Sequence, residues 1–277
     1  MPTEDTVAHD RTGKVSFDDI YTRPDPRAFY ATLQQFDYRI PDLALPHFER
    51  LIGEYRTETG IATPTVLDIG SSYGVNGALL RCGTSVAELT ERYAAAASLS
   101  RAELVAADRA FVDARRRPDA PRCVGLDVSR PALDYAVAAG FLDGALHADF
   151  EADEPTDAQR SELAGTDLVV STGCLGYVTE KTLLRVVDAA GGRLPWMAHF
   201  CLRMFPYDAI AAELGDLGYT TVRIDRPFRQ RRFATDHERT SVLDRLSDLG
   251  VDATGLEADG WFYAQLYLSR PRNRKAA

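Results

Sequence analysis

Acidic residues, glycines and hydroxyls gather just past short apolar runs of this chain. The first such place is Asp68-Ile69-Gly70-Ser71-Ser72-Tyr73-Gly74. Gly70 permits a tight turn, and Gly74 lets a following helix approach a ligand with no Cβ between them. A helix starting there offers free N–H groups to an anionic group. Asp68 would repel a phosphate at the mouth of that loop and attract an amine. The spacing is G-x-x-x-G. It is neither the G-x-G-x-x-G that admits a pyrophosphate nor a phosphate loop with a lysine, which argues against a nicotinamide-dependent oxidoreductase. Asp127, followed by Val128, ends a second apolar run, where a carboxylate can accept both hydroxyls of a ribose. Asp149 and Phe150 pair a carboxylate with a ring, a combination suited to an adenine. Thr172-Gly173-Cys174-Leu175-Gly176-Tyr177 combines flexible backbone with a phenol.

Elements of alternating type must position these residues. Thr65 to Ile69, Arg122 to Asp127, Ala145 to Phe150, Asp167 to Ser171 and Trp196 to Leu202 read as buried strands. Tyr219 to Ile224 and Phe262 to Leu268 read as two more. Helices are expected at 75–82, 129–140, 157–163, 180–189, 209–217 and 236–249. Ser85-Val86-Ala87-Glu88 and Ser100-Arg101-Ala102-Glu103 match the capping box, so helices are placed at 85–97 and 101–116. Residues 25–58 carry a patchy apolar face broken by Pro41 and Pro46, which fits two or three short helices. Strand and helix in alternation mean an α/β fold, a doubly wound and mostly parallel sheet covered on both faces. Ligands of such sheets lie beyond the carboxyl ends of the strands.

Composition narrows the partners. The 277 residues include 32 Lys and Arg against 41 Asp and Glu, a net charge of −9. That balance argues against a nucleic-acid-binding surface. Cys82, Cys123, Cys174 and Cys201 lie far apart with no C-x-x-C pair, so neither a disulfide framework nor a structural zinc is expected. Residues 1 to about 16 are polar, without the apolar run of a signal peptide. No stretch reaches the roughly 18 apolar residues that span a bilayer. A cytoplasmic protein without membrane attachment is the expectation.

Asp-x-Gly-x-x-x-Gly after the first strand, Gly-x-Asp-x-Ser after the second, the acidic-aromatic pair after the third and Asp-Leu-Val-Val-Ser on the fourth resemble the class I, Rossmann-like S-adenosylmethionine-dependent methyltransferases. The resemblance covers about residues 62 to 225, with Phe262 to Leu268 as a final strand. It implies a seven-stranded sheet with one antiparallel strand. By this likeness Gly70, Ser71, Ser72 and Gly74 lie under the methionine part of S-adenosyl-L-methionine. Asp68 would orient its amino group, Asp127 with Val128 its ribose, and Asp149 with Phe150 its adenine. Thr172 and Gly173 would complete the cofactor site. Ser72 departs from the family pattern, which has glycine there. The domain is expected at 61–270, with insertions at 83–120 and 226–258, preceded by an N-terminal tail and helical lid segment over 1–60.

Methyl transfer asks mainly for alignment and desolvation of the partners. Tyr177 and His199 are the candidates for a catalytic role, and His147 is a weaker one for a base. Arg223, Arg226, Arg229, Arg231 and Arg232 form either a solvated edge strand or a pocket for an anionic acceptor. Arg229 and Arg232, with the lid residues Tyr21 and Tyr30, are therefore candidates for the acceptor side. The reaction expected is metal-independent transfer to an oxygen or nitrogen of a small molecule. The alternative is a non-catalytic protein that binds the cofactor or a partner and keeps the fold.

Overall fold

The computed structural model describes residues 18–272. The polar stretch 1–16 lies outside them. Three helices come first: α1 (Asp18–Tyr21), α2 (Arg27–Gln34) and α3 (Ile40–Thr59). The sheet then begins with β1 (Thr65–Ile69), followed by α4 (Val75–Cys82), α5 (Val86–Ala95) and α6 (Arg101–Arg115). β2 (Arg122–Asp127), α7 (Arg130–Ala139), β3 (Gly144–His147), α8 (Asp157–Leu163), β4 (Leu168–Thr172), α9 (Glu180–Ala189) and β5 (Trp196–Leu202) continue the alternation. α10 (Asp208–Asp216), β6 (Tyr219–Arg232), α11 (Asp236–Asp248), a 3-10 turn (Glu257–Asp259) and β7 (Trp261–Pro271) complete it.

The seven strands lie in the order β3-β2-β1-β4-β5-β7-β6. β1 to β5 are parallel, and β7 runs antiparallel to both β5 and β6. β1, β2, β4 and β5 are buried on both faces, which is why they read as apolar runs, whereas the edge strand β3 leaves Ala145 and His147 exposed. Val66, Leu168, Val170, Ala198 and Phe200 point to the side packed by α3 and α11. Leu67, Ile69, Val169 and Met197 point to the side covered by α8, α9 and α10. A third cluster joins α2 to α4, α5, α6 and α7. No helix of the described residues is long and apolar enough to cross a membrane.

Local chemistry sets the element ends. Ser100 and Glu103 close a full capping box on α6. At α5 only half of it forms. Ser85 Oγ accepts from the Glu88 N–H at 3.1 Å, but the Glu88 carboxylate turns to the Thr84 hydroxyl at 2.7 Å and to Arg115. Pro41 sits in the first turn of α3, where no N–H is missed, and Pro46 lies inside it on an exposed face without ending it. The expected break there does not occur. β3 stops at His147, so Asp149 and Phe150 belong to the turn beyond it.

The largest difference lies at β6. It does not end at Ile224 but runs to Arg232 through register shifts between Arg223 and Pro227 and between Arg229 and Arg232. Residues 226–232 are thus strand, and the segment carrying α11 starts after them. Bulges bend a strand, and this one places Gln230 O on the Arg39 N–H (2.9 Å) and the Arg232 N–H on Phe36 O (2.7 Å). The far half of β6 therefore reaches the N-terminal helices.

Gly77 tests how closely α4 is seated. A Cβ there would lie 2.5 Å from the Phe141 carbonyl oxygen and 3.0 Å from Leu142 Cδ2. Gly77→Ala gains up to about 1 kcal/mol of helix propensity but incurs roughly 1–3 kcal/mol of overpacking. Urea unfolding should show a net loss of stability. A variant as stable as the parent would mean that the loop at Phe141 yields freely.

Candidate functional site

The loop from β1 to α4 is a left-handed backbone held from beneath. Gly70, Ser72 and Gly74 have φ of 69°, 48° and 75°. A Cβ at Gly70 would sit 2.8 Å from Cys174 Cβ. Ser72 therefore occupies a conformation that suits glycine, at a cost of about 1 kcal/mol or more. Its N–H donates to Asp127 Oδ2 at 2.8 Å, which helps to hold it there. Asp127 Oδ1 accepts the Ser129 N–H at 2.8 Å. This carboxylate thus ties the loop after β1 to the loop after β2. Burial raises its pKa, against those backbone bonds.

Asp68 lies at the carboxyl end of β1, buried to 3% exposure. Its Oδ1 accepts from Asn76 Nδ2 at 2.9 Å, and the same amide reaches Thr172 Oγ1 at 3.2 Å. Asp68 Oδ2 and Asn76 Oδ1 are buried and have no donor. Ser71 Oγ, Ser72 Oγ and Gln230 Oε1 are also buried and without a partner. Burial pushes the Asp68 carboxyl up to about 7, against the Asn76 bond and with a smaller push from Asp127. Acceptor atoms are rarely left this way in a folded interior unless a ligand supplies the donors.

Two segments close over this point. The Tyr73 hydroxyl lies 2.9 Å from the carbonyl oxygens of both Ile20 and Arg23. Ser129 Oγ donates to Tyr21 O at 2.6 Å, and Arg101 Nε to Pro24 O at 2.8 Å. Residues 20–30 are thereby strapped over the loops after β1 and β2. From the other side, β6 brings Gln230 over Gly173, where a Cβ would meet Nε2 at 2.2 Å. Burial raises the pKa of Tyr38, and smaller contributions from Tyr21, Tyr30, Tyr177 and Asp68 place its phenol among them.

The structure sorts the expected residues. Asp68, Gly70, Ser71, Ser72, Gly74, Asp127, Thr172 and Gly173 come together at the carboxyl ends of β1, β2 and β4. Val128 is 65% exposed beside Asp127, with its carbonyl oxygen 3.0 Å from His147 Nε2. Tyr177 is half exposed, and its hydroxyl donates to Gly173 O at 3.2 Å. Tyr21 lies in the strap.

Others stand elsewhere. Phe150 is buried among the side chains under α8 and α9, so its ring faces the core. Asp149 is exposed and turns Oδ1 back to the Glu151 N–H at 2.9 Å, an Asx turn. Tyr30 stacks on Tyr93 at 4.7 Å and packs α2 on α5. His199 is fully buried in the middle of β5, with Nδ1 2.8 Å from Ser171 Oγ. Burial lowers its pKa to about 3, so its imidazole is a neutral and weakly basic group within the core, with Nε2 buried and without a partner. His147 is exposed and braced by Arg130. Arg229 and Arg232 lie over the Trp261 ring at 4.9 and 4.4 Å, and Arg232 pairs with Asp37 at 2.6 Å.

Three residues of this site carried signals that the spacing alone did not turn into a site. Asn76, eight positions after Asp68, is a polar residue near the start of the helix Val75–Cys82, whose only other polar side chain is Arg81. Gln230 is uncharged among arginines, and Tyr38 lies between two helices. Among the described residues no three His, Cys, Asp or Glu side chains group so as to hold a metal.

The strand order, the lone antiparallel β7 and an acid at the ends of both β1 and β2 decide the fold type. It is the class I methyltransferase fold. The sequence matches no family model and no curated protein. Solved structures align over most of the chain at low identity. A functionally unknown protein from Deinococcus radiodurans is 16% identical over 78% of this chain and 84% of its own, with a TM-score of 0.40. A phosphoethanolamine N-methyltransferase 2 from Haemonchus contortus is 11% identical over 81% of this chain and 53% of its own, TM-score 0.40. The plantazolicin methyltransferase BpumL in complex with SAH is 10% identical over 92% and 93%, TM-score 0.42. At such values the strand order of the chain itself remains the ground for its fold type.

The raised carboxyl of Asp68 has a consequence for stability. The unfolded chain releases this proton near its ordinary value of 3.8, the folded chain only near 7. Stability therefore falls as pH rises through that window and is flat above it. Asp68→Asn keeps the oxygen that Asn76 bonds and removes the charge. In urea titrations without ligand its gain over the parent should grow from about pH 4 to pH 7 and then level off. A gain independent of pH, or a loss, would show that Asp68 is ionised at no cost.

Proposed function

We propose that this protein transfers a methyl group from S-adenosylmethionine to an oxygen or nitrogen of a small-molecule acceptor. The reading rests on one observation above others: Asp68 Oδ2 and Asn76 Oδ1 are buried acceptors without donors, directly beside the Gly70–Gly74 turn. An ammonium group supplies three donors and the charge that an ionised Asp68 lacks. Asp127 accepts the Ser72 and Ser129 N–H groups on separate oxygens, with the Val128 N–H also acting on the carboxylate, and its remaining lone pairs suit ribose hydroxyls. Ser71, Ser72, Thr172 and Gly173 line the same turn, and Val128 flanks the ribose position.

When bound, the cofactor supplies a sulfonium methyl whose bond electrons stay with sulfur while an acceptor lone pair forms the new bond. The chain's part is to orient and desolvate. Asp68 and Asn76 hold the amine end, Asp127 the ribose, and the strap of residues 20–30 keeps water out. Gln230 and Tyr177 stand over Gly173, where the acceptor meets the methyl group. Tyr177 positions rather than deprotonates in this scheme. An acceptor that has given up its proton to bulk water before it enters the site needs no protein base.

Calorimetric titration tests the reading. S-adenosylmethionine and S-adenosylhomocysteine should bind while NAD does not. Asp127→Ala should weaken both by about tenfold or more, since hydrogen bonds to a charged group are worth roughly 1.5–3 kcal/mol. Absence of binding by either adenosyl compound would end the proposal. Binding with no labelled methyl group passed to any member of a broad metabolite set would leave a cofactor-binding protein without transfer.

A further inference from the structure

Beyond β5 the chain opens into a cleft of about 280 Å³. Its walls include Arg203, Phe205, Arg223, Arg226, Leu256 and Tyr267. The body is apolar and partly aromatic. Tyr267 stacks on Tyr207 with centroids 3.9 Å apart and rings within 4° of parallel. The charge is supplied by the bulge in β6. Gln265 Nε2 donates to both Ile224 O and Arg226 O and so fixes the backbone between Arg223 and Arg226.

The three guanidinium groups are not equivalent. Arg203 is committed to Glu257 at 2.6 Å and Asp252 O at 2.7 Å. Arg223 and Arg226 form no ion pair among the described residues, and only Asp225 lies with them at the cleft. Burial raises the pKa of Tyr267; Arg223 is close enough to its hydroxyl to act against that, and Asp208 acts with the burial. Arg226 rests 4.6 Å over the Phe228 ring. Among the lining residues Arg223 and Arg226 are two cations without an ion pair against one carboxylate, Asp225, and Asp208 acts on the Tyr267 phenol from outside the lining. Guanidinium forks suit carboxylate and phosphate oxygens.

The cleft adjoins the loop after β4. A Cβ at Gly176 would lie 2.3 Å from the Phe205 ring. That ring therefore packs on the loop after β4 with one side and lines the cleft with another. We infer that this cleft binds an anionic small molecule, a carboxylate or phosphate monoester on a flat apolar body, with Arg223 and Arg226 holding the anion. That this ligand is the methyl acceptor rests on the function proposed above; the binding site itself does not.

Titrations of the full-length protein with benzoate, phenyl phosphate and the neutral benzamide test the site. At least one of the two anions should bind, and benzamide about tenfold or more weaker, the difference expected for losing a charge-assisted pair. Which anion is preferred distinguishes a carboxylate from a phosphate ligand. The double variant Arg223→Gln, Arg226→Gln should lose the same factor for the anion while its S-adenosylhomocysteine affinity stays unchanged. Equal binding of benzamide, unchanged anion affinity in the double variant, or no saturable binding of either anion would overturn the proposal. Anion binding without adenosyl-cofactor binding would keep the site and remove its link to methyl transfer.

Discussion

One buried carboxylate organises the centre of this molecule. Asp68 sits at the end of the middle strand pair of the sheet, with a single donor from Asn76 and an oxygen left over. A carboxylate in such a place is held against its own preference, as the displacement of its pKa toward 7 records. It stays because the surrounding elements leave it nowhere else to go. β2 and β4 flank β1 on either side, and α4 starts only six residues later and presents Asn76 across the gap. The left-handed turn at Gly70, Ser72 and Gly74 brings that helix close enough for the amide to bridge Asp68 and Thr172. Strain in the turn and desolvation of the acid are thus two costs carried at one point of the fold.

The parts that could be read from the sequence are those set by local rules. β1, β2 and β5 are continuous apolar runs, and their ends match the structure to the residue. The capping box at Ser100 is legible because both partners lie in one turn. The same motif at Ser85 forms only half, because Thr84 and Arg115, which the motif does not contain, compete for Glu88. His199 was ambiguous for a related reason. A histidine on a buried strand can face the cleft or the core, and the pairing with Ser171 that settles it comes from 28 residues away.

Phe150 and Tyr30 show the limit in another form. Both are aromatics beside residues of the site, and both have their rings drawn into hydrophobic clusters that no spacing announces. Burial of an aromatic ring contributes on the order of 2 kcal/mol, enough to decide its direction. β6 departs furthest from what local rules predict. Asp225-Arg226-Pro227 looks like a turn, and proline within a run usually marks its end. Here Pro227 lies at the end of a bulge, and antiparallel pairing with β7 resumes there.

That continuation gives the arginine-rich stretch its meaning. Spread along a plain edge strand, the five side chains would be a solvated guard against aggregation. The two register shifts divide them instead. Arg231 turns inward to a bidentate pair with Glu238, at 3.0 and 2.7 Å, with both side chains almost wholly buried. A pair of that kind adds little net stability but costs about 3–5 kcal/mol to break, so it fixes where the far half of β6 lies. Arg229 and Arg232 cover the Trp261 ring beside it. The fixed far half carries Gln230 over Gly173, while the first bulge leaves Arg223 and Arg226 at the cleft on the other side of Phe205. A whole-chain charge of −9 conceals this arrangement. Attraction of an anion depends on the few charges within a Debye length, about 8–10 Å, and on their local partners. An acidic protein can therefore keep one cationic cleft next to a buried carboxylate, provided a rigid element separates them. Here that element is the β4 loop with Phe205 packed on Gly176.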